Sequence, residues 1–390
     1  MTSEPDYNTD HPPTLYEAGI CSGKAVEIDT ASIRALGTRH GIFVAAWKGL
    51  GAESRACSVV VKTVVEDGSR APRNGRREAR LLARLEHPNI VPLLNAYLYP
   101  PSSTSLSETI HIFMPFFPFT LRQLLDTPAF LSDNSLETFA SLSISIASQL
   151  ISATSYLHNN AISHRDINPS NIVVSAAGRP LLIDFGIAVD TDDEKEGEQH
   201  FEVGTGPYRA PELVFAARSY DIFAIDVWAL AATICELFRP FEPAPASSSP
   251  SSPDPFSERT SFGFAPSEPL TSSPKRESLF NSGQSDFVLA ASIFRIVGTP
   301  TLETWPEAER LPNFSRFSFA SFPPTPLESH LPYLATASPL LDVLRSMMTC
   351  SASKRMTAAT AEDRLRSLST GGITYRDFLT RGMAGHCEAP

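Results

Sequence analysis

A chain of 390 residues, 42% hydrophobic and 19% charged, can bury one large core or two average ones, which excludes global disorder. Its net charge of −11 argues against nucleic acid or an anionic membrane as the main partner. Cysteines at 21, 57, 235, 350 and 387 form no Cys-x-x-Cys pair. Neither a disulfide framework nor structural zinc is expected, and reduced thiols fit a cytoplasmic or nuclear protein.

Residues 1–26 are rich in Pro, Asp and Thr without periodicity and are expected to form a disordered tail; they do not read as a signal peptide. From 25 to 65, short β-type runs alternate with turn residues, among them Gly37, Gly41, Gly49 and Gly51. They close on Ser58-Val59-Val60-Val61-Lys62-Thr63-Val64-Val65. A helical period follows over 76–85 and is ended by Pro88 in His87-Pro88-Asn89. Residues 110–117 read as another strand, and helical segments dominate beyond. The most apolar run, 225–238, is too short to span a bilayer and carries Asp226 and Glu236, so it reads as a buried core helix. Residues 242–278 are crowded with Ser and Pro and nearly free of aliphatic side chains. Such a stretch cannot offset its ordering entropy and is expected to be a disordered insertion within one domain. Residues 371–390 are expected to be a C-terminal tail.

Chemistry concentrates in a few places. In His164-Arg165-Asp166-Ile167-Asn168-Pro169-Ser170-Asn171, an Asp is followed five residues later by an Asn. That spacing suits a loop whose carboxylate takes a hydroxyl proton while an amide oxygen binds magnesium. Leu181-Leu182-Ile183-Asp184-Phe185-Gly186 is an apolar strand ending in a carboxylate, a suitable ligand for a hard cation. Tyr208-Arg209-Ala210-Pro211-Glu212 closes the loop that follows. Upstream, Lys62 ends a Val-rich strand and can meet phosphates, with Glu78 on the next helix to hold it.

In this order and spacing the motifs resemble the eukaryotic protein kinase family over roughly residues 30–370. The resemblance implies an α+β bilobal fold over 27–370, with a β-rich N-lobe (27–114) and a larger helical C-lobe (115–370). It implies ATP and Mg²⁺ in the cleft, with Asp166, Lys62 and Glu78 catalytic. Leu36, Gly37, Gly41, Lys62, Met114, Phe117, Asn168, Asn171 and Asp184 would bind the nucleotide, and Asn171 and Asp184 the metal. Asp226 is expected to brace the catalytic loop and Arg355 to pair with Glu212. Arg77-Glu78-Ala79-Arg80-Leu81-Leu82, Glu86-His87-Pro88-Asn89-Ile90-Val91 and Ser292-Ile293-Phe294-Arg295-Ile296-Val297-Gly298-Thr299-Pro300 are similar to cyclin-dependent kinases.

Departures from that pattern carry information. The glycine loop, Leu36-Gly37-Thr38-Arg39-His40-Gly41, offers two glycines at a shortened spacing. Asn168 stands where serine/threonine kinases carry a lysine, and Val60 replaces an alanine above the adenine. His200 occupies the position of the phosphorylated threonine of the activation segment, and no Ser or Thr lies between Asp192 and Gly204. Arg77 and Arg165 remain, and Asp190, Asp192, Asp193, Glu194, Glu196 and Glu198 supply carboxylates that can neutralise them. Arg73, Arg76, Arg77, Arg80 and Arg84 fall at helical spacing, as on a face that docks an acidic partner or simply meets water. A kinase of this group without a loop phosphate acceptor resembles the fungal single-subunit CDK-activating kinases. The resemblance implies a monomer that phosphorylates a cyclin-dependent kinase, with no obligate cyclin, nucleic acid or membrane. The alternatives are a proline-directed kinase with a regulatory subunit and a catalytically silent scaffold.

Overall fold

The computed structural model describes residues 27–35, 41–48, 57–66, 72–99, 107–127, 136–175, 177–191, 199–242, 275–283 and 285–366. The two tails, Leu36, Gly37, and the core of the Ser/Pro stretch (243–274) lie outside them.

The N-terminal lobe is one antiparallel sheet of β1 (Glu27–Ala35), β2 (Ile42–Lys48), β3 (Cys57–Glu66), β4 (Asn95–Tyr99) and β5 (Glu108–Pro115), in the order β1-β2-β3-β5-β4. Successive side chains on a strand face opposite ways. On β3, Val59 and Val61 enter a small core with Ala45, Tyr97 and Phe113. Val60 and Lys62 face the other way, and Val60 packs on the main core. In register, Lys62 lies between Ile42 of β2 and Ile112 of β5, so its backbone is fixed from both sides. Helix α1 (Gly75–Arg84) starts where the Asn74 side chain accepts from Arg77 N, with Glu78 in its first turn and Arg84 in its last. It buries Glu78, Ala79, Leu81 and Leu82.

The C-terminal lobe continues with β6 (Phe119–Thr120), α2 (Leu121–Leu125) and the long α3 (Leu136–Asn159). Short strands β7 (Ile162–Ser163), β8 (Ile172–Val174), β9 (Pro180–Leu182) and β10 (Val189–Asp190) carry the loops of the cleft. Beyond them, α4 (Pro211–Val214) and α5 (Ile222–Leu237) complete the support. In α5 every residue except Phe223 is buried, the pattern of a core helix apolar all round. Among the described residues, no helix is long and apolar enough to cross a membrane. Cys235 and Cys350 are buried free thiols.

The Ser/Pro stretch requires a correction at both edges. Glu242 belongs to β11 (Phe241–Glu242), which pairs with β12 (Lys275–Arg276). Arg276 is 1% exposed, donates to Leu237 O at 2.9 Å and lies over the rings of Phe139 and Phe241. Leu279 and Phe280 then return to the core, with Phe280 stacked on Trp228 at 5.5 Å. A guanidinium can anchor a strand through aromatic faces and carbonyls, a signal that a count of aliphatic residues misses. The remaining helices are α6 (Asp286–Val297), α7 (Pro339–Met347) and α8 (Ala358–Arg366).

Candidate active site

The loop 164–171 hangs from one buried carboxylate. Asp226, 0% exposed on α5, accepts from the backbone N–H of His164 and Arg165, both at 2.7 Å, and contacts His158 Nε2 at 3.2 Å. Burial would raise its pKa, but the histidines and backbone donors outweigh it and hold the carboxyl below its ordinary range. Arg165 is thereby held at φ +63°, a left-handed conformation that bulky residues adopt only when their surroundings enforce it. His164 Nδ1 accepts from Asp166 N at 3.3 Å, so its Nε2 carries the proton it donates to Ile183 O at 3.0 Å.

These ties leave the Asp166 carboxylate surrounded by donors. Oδ1 accepts from Thr205 Oγ1 at 2.5 Å and Asn168 Nδ2 at 3.1 Å, and Oδ2 accepts from Asn171 Nδ2 at 2.8 Å. Asn168 is 2% exposed, and its carbonyl oxygen caps the turn after it by accepting from Ser170 N at 2.9 Å. Both ends of this amide are therefore engaged within the loop. Asn171 spends its amide nitrogen on Asp166, while its amide oxygen accepts no hydrogen bond among the described residues.

Across the cleft, Lys62 Nζ lies 2.7 Å from both Glu78 oxygens and 2.8 Å from Asp184 Oδ1. Burial alone would lower the ammonium's pKa; the two carboxylates prevail and hold it above its ordinary value. Burial likewise works against Asp184, but Lys62 and Arg73 hold its carboxyl well below the usual range, ionised. Arg73 reaches that carboxylate at 3.5 Å, and Asn74 N donates to Gly186 O at 2.9 Å, so the start of α1 is fastened to the Asp-Phe-Gly turn. Asp184 itself sits at φ +64°.

The residues present fit a divalent cation shared with phosphates. An ionised carboxylate and an amide oxygen are hard donors. Among the described residues no group of three or more His, Cys, Asp or Glu could hold a metal alone, so a cation here would need further oxygens, from phosphate or water. Gly41 is at φ +85°, and a Cβ there would meet Thr63 O at 2.7 Å, so only glycine permits this entry into β2. Met114, opposite Val60 on the sheet, is 7% exposed, and Phe117 is half-buried just beyond β5.

The segment after Asp184 is anchored by charge and backbone. Arg165 Nε donates to Ile187 O at 2.7 Å, β10 pairs with β7, and the buried Asp190 accepts from Arg84 Nη1 at 2.7 Å. His200 is exposed, and its carbonyl accepts from Tyr220 Oη at 2.6 Å. The arginine row of α1 is thus not one open face. Arg73 meets Asp184, Arg76 meets Glu108 at 2.6 Å and Arg84 meets Asp190. At the far end Arg355 holds Glu212 in a buried two-point pair at 2.8 and 3.0 Å. Residues 192–198, with most of the acidic run, lie outside the described residues.

The family description "Protein kinase domain" matches residues 41–364. The chain belongs to the protein kinase family. This kinase is 31% identical to "Cyclin-dependent kinase 7" of Carassius auratus over 77% of its own length and 70% of the relative's. It is 28% identical to "Serine/threonine-protein kinase csk1" of Schizosaccharomyces pombe over 69% and 73%. Across the cyclin-dependent kinases it resembles, it spans between 50% and 82% of their length. A chain of the yeast RNA Pol II CTD kinase CTDK-1 complex shares its fold, with TM-score 0.61 at 21% identity, over 87% of this chain and 94% of that one. These relatives make it a serine/threonine kinase of the cyclin-dependent kinase group.

Three functional contacts escaped the sequence. Thr205 on Asp166 is signalled only by a threonine between two glycines ahead of Tyr208-Arg209. Arg73 on Asp184 and Arg84 on Asp190 give only the signal of helical spacing, although Arg73 precedes the helix.

Proposed function

We propose that this kinase works without activation-segment phosphate and without a cyclin, as a monomer in the cytoplasm or nucleus, and that it phosphorylates the activation segment of a cyclin-dependent kinase. In this reading Asp166 accepts the proton of the substrate hydroxyl, Lys62 steadies the α- and β-phosphates, and Glu78 holds Lys62. Asn171 and Asp184 hold magnesium, while Leu36, Gly37, Gly41, Met114 and Phe117 border the nucleotide. Bound Mg-ATP supplies the transferable γ-phosphoryl group and the neutralising charge. Asn168 acts on Asp166 rather than as a substitute for the missing lysine.

The observation that carries self-sufficiency is the ion pair of Arg84 with Asp190, beside the Arg165 tie to Ile187 O. Both fasten the segment after the Asp-Phe-Gly turn with groups already in the chain. His200, in the place of the threonine, offers no hydroxyl. The nature of the substrate rests on the likeness to single-subunit CDK-activating kinases.

Protein made in bacteria, without cyclin or upstream kinase, is expected to phosphorylate an intact cyclin-dependent kinase at once. Phosphatase pretreatment should leave the rate unchanged, Arg84→Ala should lower it several-fold, and Asp166→Asn should lower it at least ~10²-fold. Protein inert until a cyclin-like subunit is added would favour the proline-directed alternative. Undiminished turnover in Asp166→Asn would remove Asp166 from its role.

A further inference from the structure

Residues 199–201 of the activation segment are gripped by the linker between α4 and α5. Gln199 N donates to Arg218 O at 3.1 Å, and its side-chain Oε1 accepts from Tyr220 N at 2.8 Å. The half-buried Tyr220 donates its hydroxyl to His200 O at 2.6 Å. Downstream, Phe201 O accepts from Arg209 Nη2 at 3.2 Å, and Val203 is 1% exposed in the main core. Two residues further on, Thr205 reaches Asp166 Oδ1.

The grip on position 200 ignores its side chain. The His200 imidazole is exposed and makes no hydrogen bond or ion pair among the described residues. A main-chain carbonyl is the same acceptor in every residue, so the Tyr220 hydroxyl can hold this position whatever side chain stands there. Tyr220 is itself well placed to act as a reference. It immediately precedes Asp221, the N-cap of α5, which accepts from Phe223 N at 2.9 Å and Ala224 N at 3.0 Å. The same helix carries Asp226, which holds His164 and Arg165. One buried helix thus registers both halves of the site, the loop bearing Asp166 through Asp226 and the segment bearing Thr205 through Tyr220.

We propose that Tyr220 is a positioning residue for phosphoryl transfer: its hydroxyl fixes position 200 through the backbone and keeps the segment bearing Thr205 in register with Asp166. This deepens the phosphate-free reading above and rests on it. A phosphate at position 200 would act by charge, through a side chain. Tyr220 acts by a neutral hydrogen bond to the main chain, so neither the side chain at 200 nor its modification is needed.

The test uses the full chain made in bacteria, as wild type, Tyr220→Phe and His200→Ala, with Mg-ATP and an intact cyclin-dependent kinase as substrate. Tyr220→Phe removes the hydroxyl alone and keeps the ring. Its kcat/KM for the protein substrate should fall about fivefold, the scale of one hydrogen bond, while its KM for ATP stays within about twofold of the wild type. His200→Ala should match the wild type in both. Hydrogen exchange over residues 199–203 should be faster in Tyr220→Phe and unchanged in His200→Ala. Turnover of Tyr220→Phe equal to the wild type overturns the inference, and so does a loss in His200→Ala as large as that in Tyr220→Phe. A KM for ATP that rises along with the loss also overturns it, because the phenol would then support the lobe as a whole. If no form transfers phosphate, the phosphate-free reading fails; faster exchange in Tyr220→Phe would then still uphold the clamp, and equal exchange would end it.

Discussion

On the C-terminal side of the cleft, the loop bearing Asp166 is tied by two backbone N–H groups to Asp226, a carboxylate with 0% exposure inside a helix that is itself core. On the N-terminal side, Lys62 is placed by two carboxylates from different parts of the chain, Glu78 on α1 and Asp184 after β9. The first arrangement is welded to the hydrophobic core and cannot loosen without exposing an unpaired buried charge. The second is an electrostatic junction that forms only while α1 sits against the Asp-Phe-Gly turn. Damage to the first should therefore register in both stability and catalysis. Damage to the second should register in catalysis with less effect on stability.

The sharpest way to break this contrast is Asp226→Asn. One of its two acceptors becomes an amide that faces a backbone N–H, leaving buried donors opposed at a cost of about 1–3 kcal/mol. A fall of several degrees in Tm and of at least ~10²-fold in kcat is expected. Glu78→Gln should lower kcat by roughly 10–100-fold. Lys62 keeps Asp184, so the Tm loss, followed by thermal unfolding, should be the smaller of the two. Equal Tm losses would end the distinction between the two sides.

Asn168→Ala removes one of three side-chain donors to the Asp166 carboxylate and the cap on Ser170 N. A drop of about tenfold in kcat with KM for ATP nearly unchanged is expected, the scale of one hydrogen bond. The neutral residue would be dispensable if it merely replaced a lost lysine. A raised KM for ATP at constant kcat would instead put Asn168 in contact with the nucleotide.

The smallest effect concerns His111 on β5. Burial pushes its pKa down to about 4, and its Nδ1 lies 3.0 Å from Thr63 Oγ1. In the unfolded chain it takes up a proton near pH 6.5, while in the fold it stays neutral until about 4. Its stabilisation is whole above 6.5 and is lost as pH falls from there toward 4. The Tm of the wild type should therefore drop more between pH 7 and pH 5 than that of His111→Gln. Parallel profiles would show that this histidine does not limit the N-lobe in acid.

Much of the site was legible because its chemistry is packed into short stretches. Asp166 and Asn171 lie on one loop, Asp184 follows an apolar strand, and Lys62 lies within a Val-rich one. What stayed hidden spans long separations between unremarkable residues. Thr205 reaches Asp166 over 39 positions, Arg84 reaches Asp190 over 106, and Arg73 reaches Asp184 over 111. An arginine read at helical spacing looks the same whether it meets water or a carboxylate. Arg276 in a Ser/Pro-rich setting gives no apolar signal, yet it closes a ladder beneath two aromatic rings.

By itself the sequence determined the bilobal kinase fold, the identity of the chemical groups and the absence of a phosphorylatable residue at position 200. The fold follows from the resemblance of the ordered motifs to protein kinases, and the rest from local spacing and side-chain types, which act over a few residues at a time. Only the tertiary structure decided how the groups are held: which carboxylate takes which arginine, and that Asn168 serves Asp166. Each of these is a pairing between surfaces brought together by burial of a common core. The same charges can pair in several ways until that burial fixes which of them come within hydrogen-bond distance.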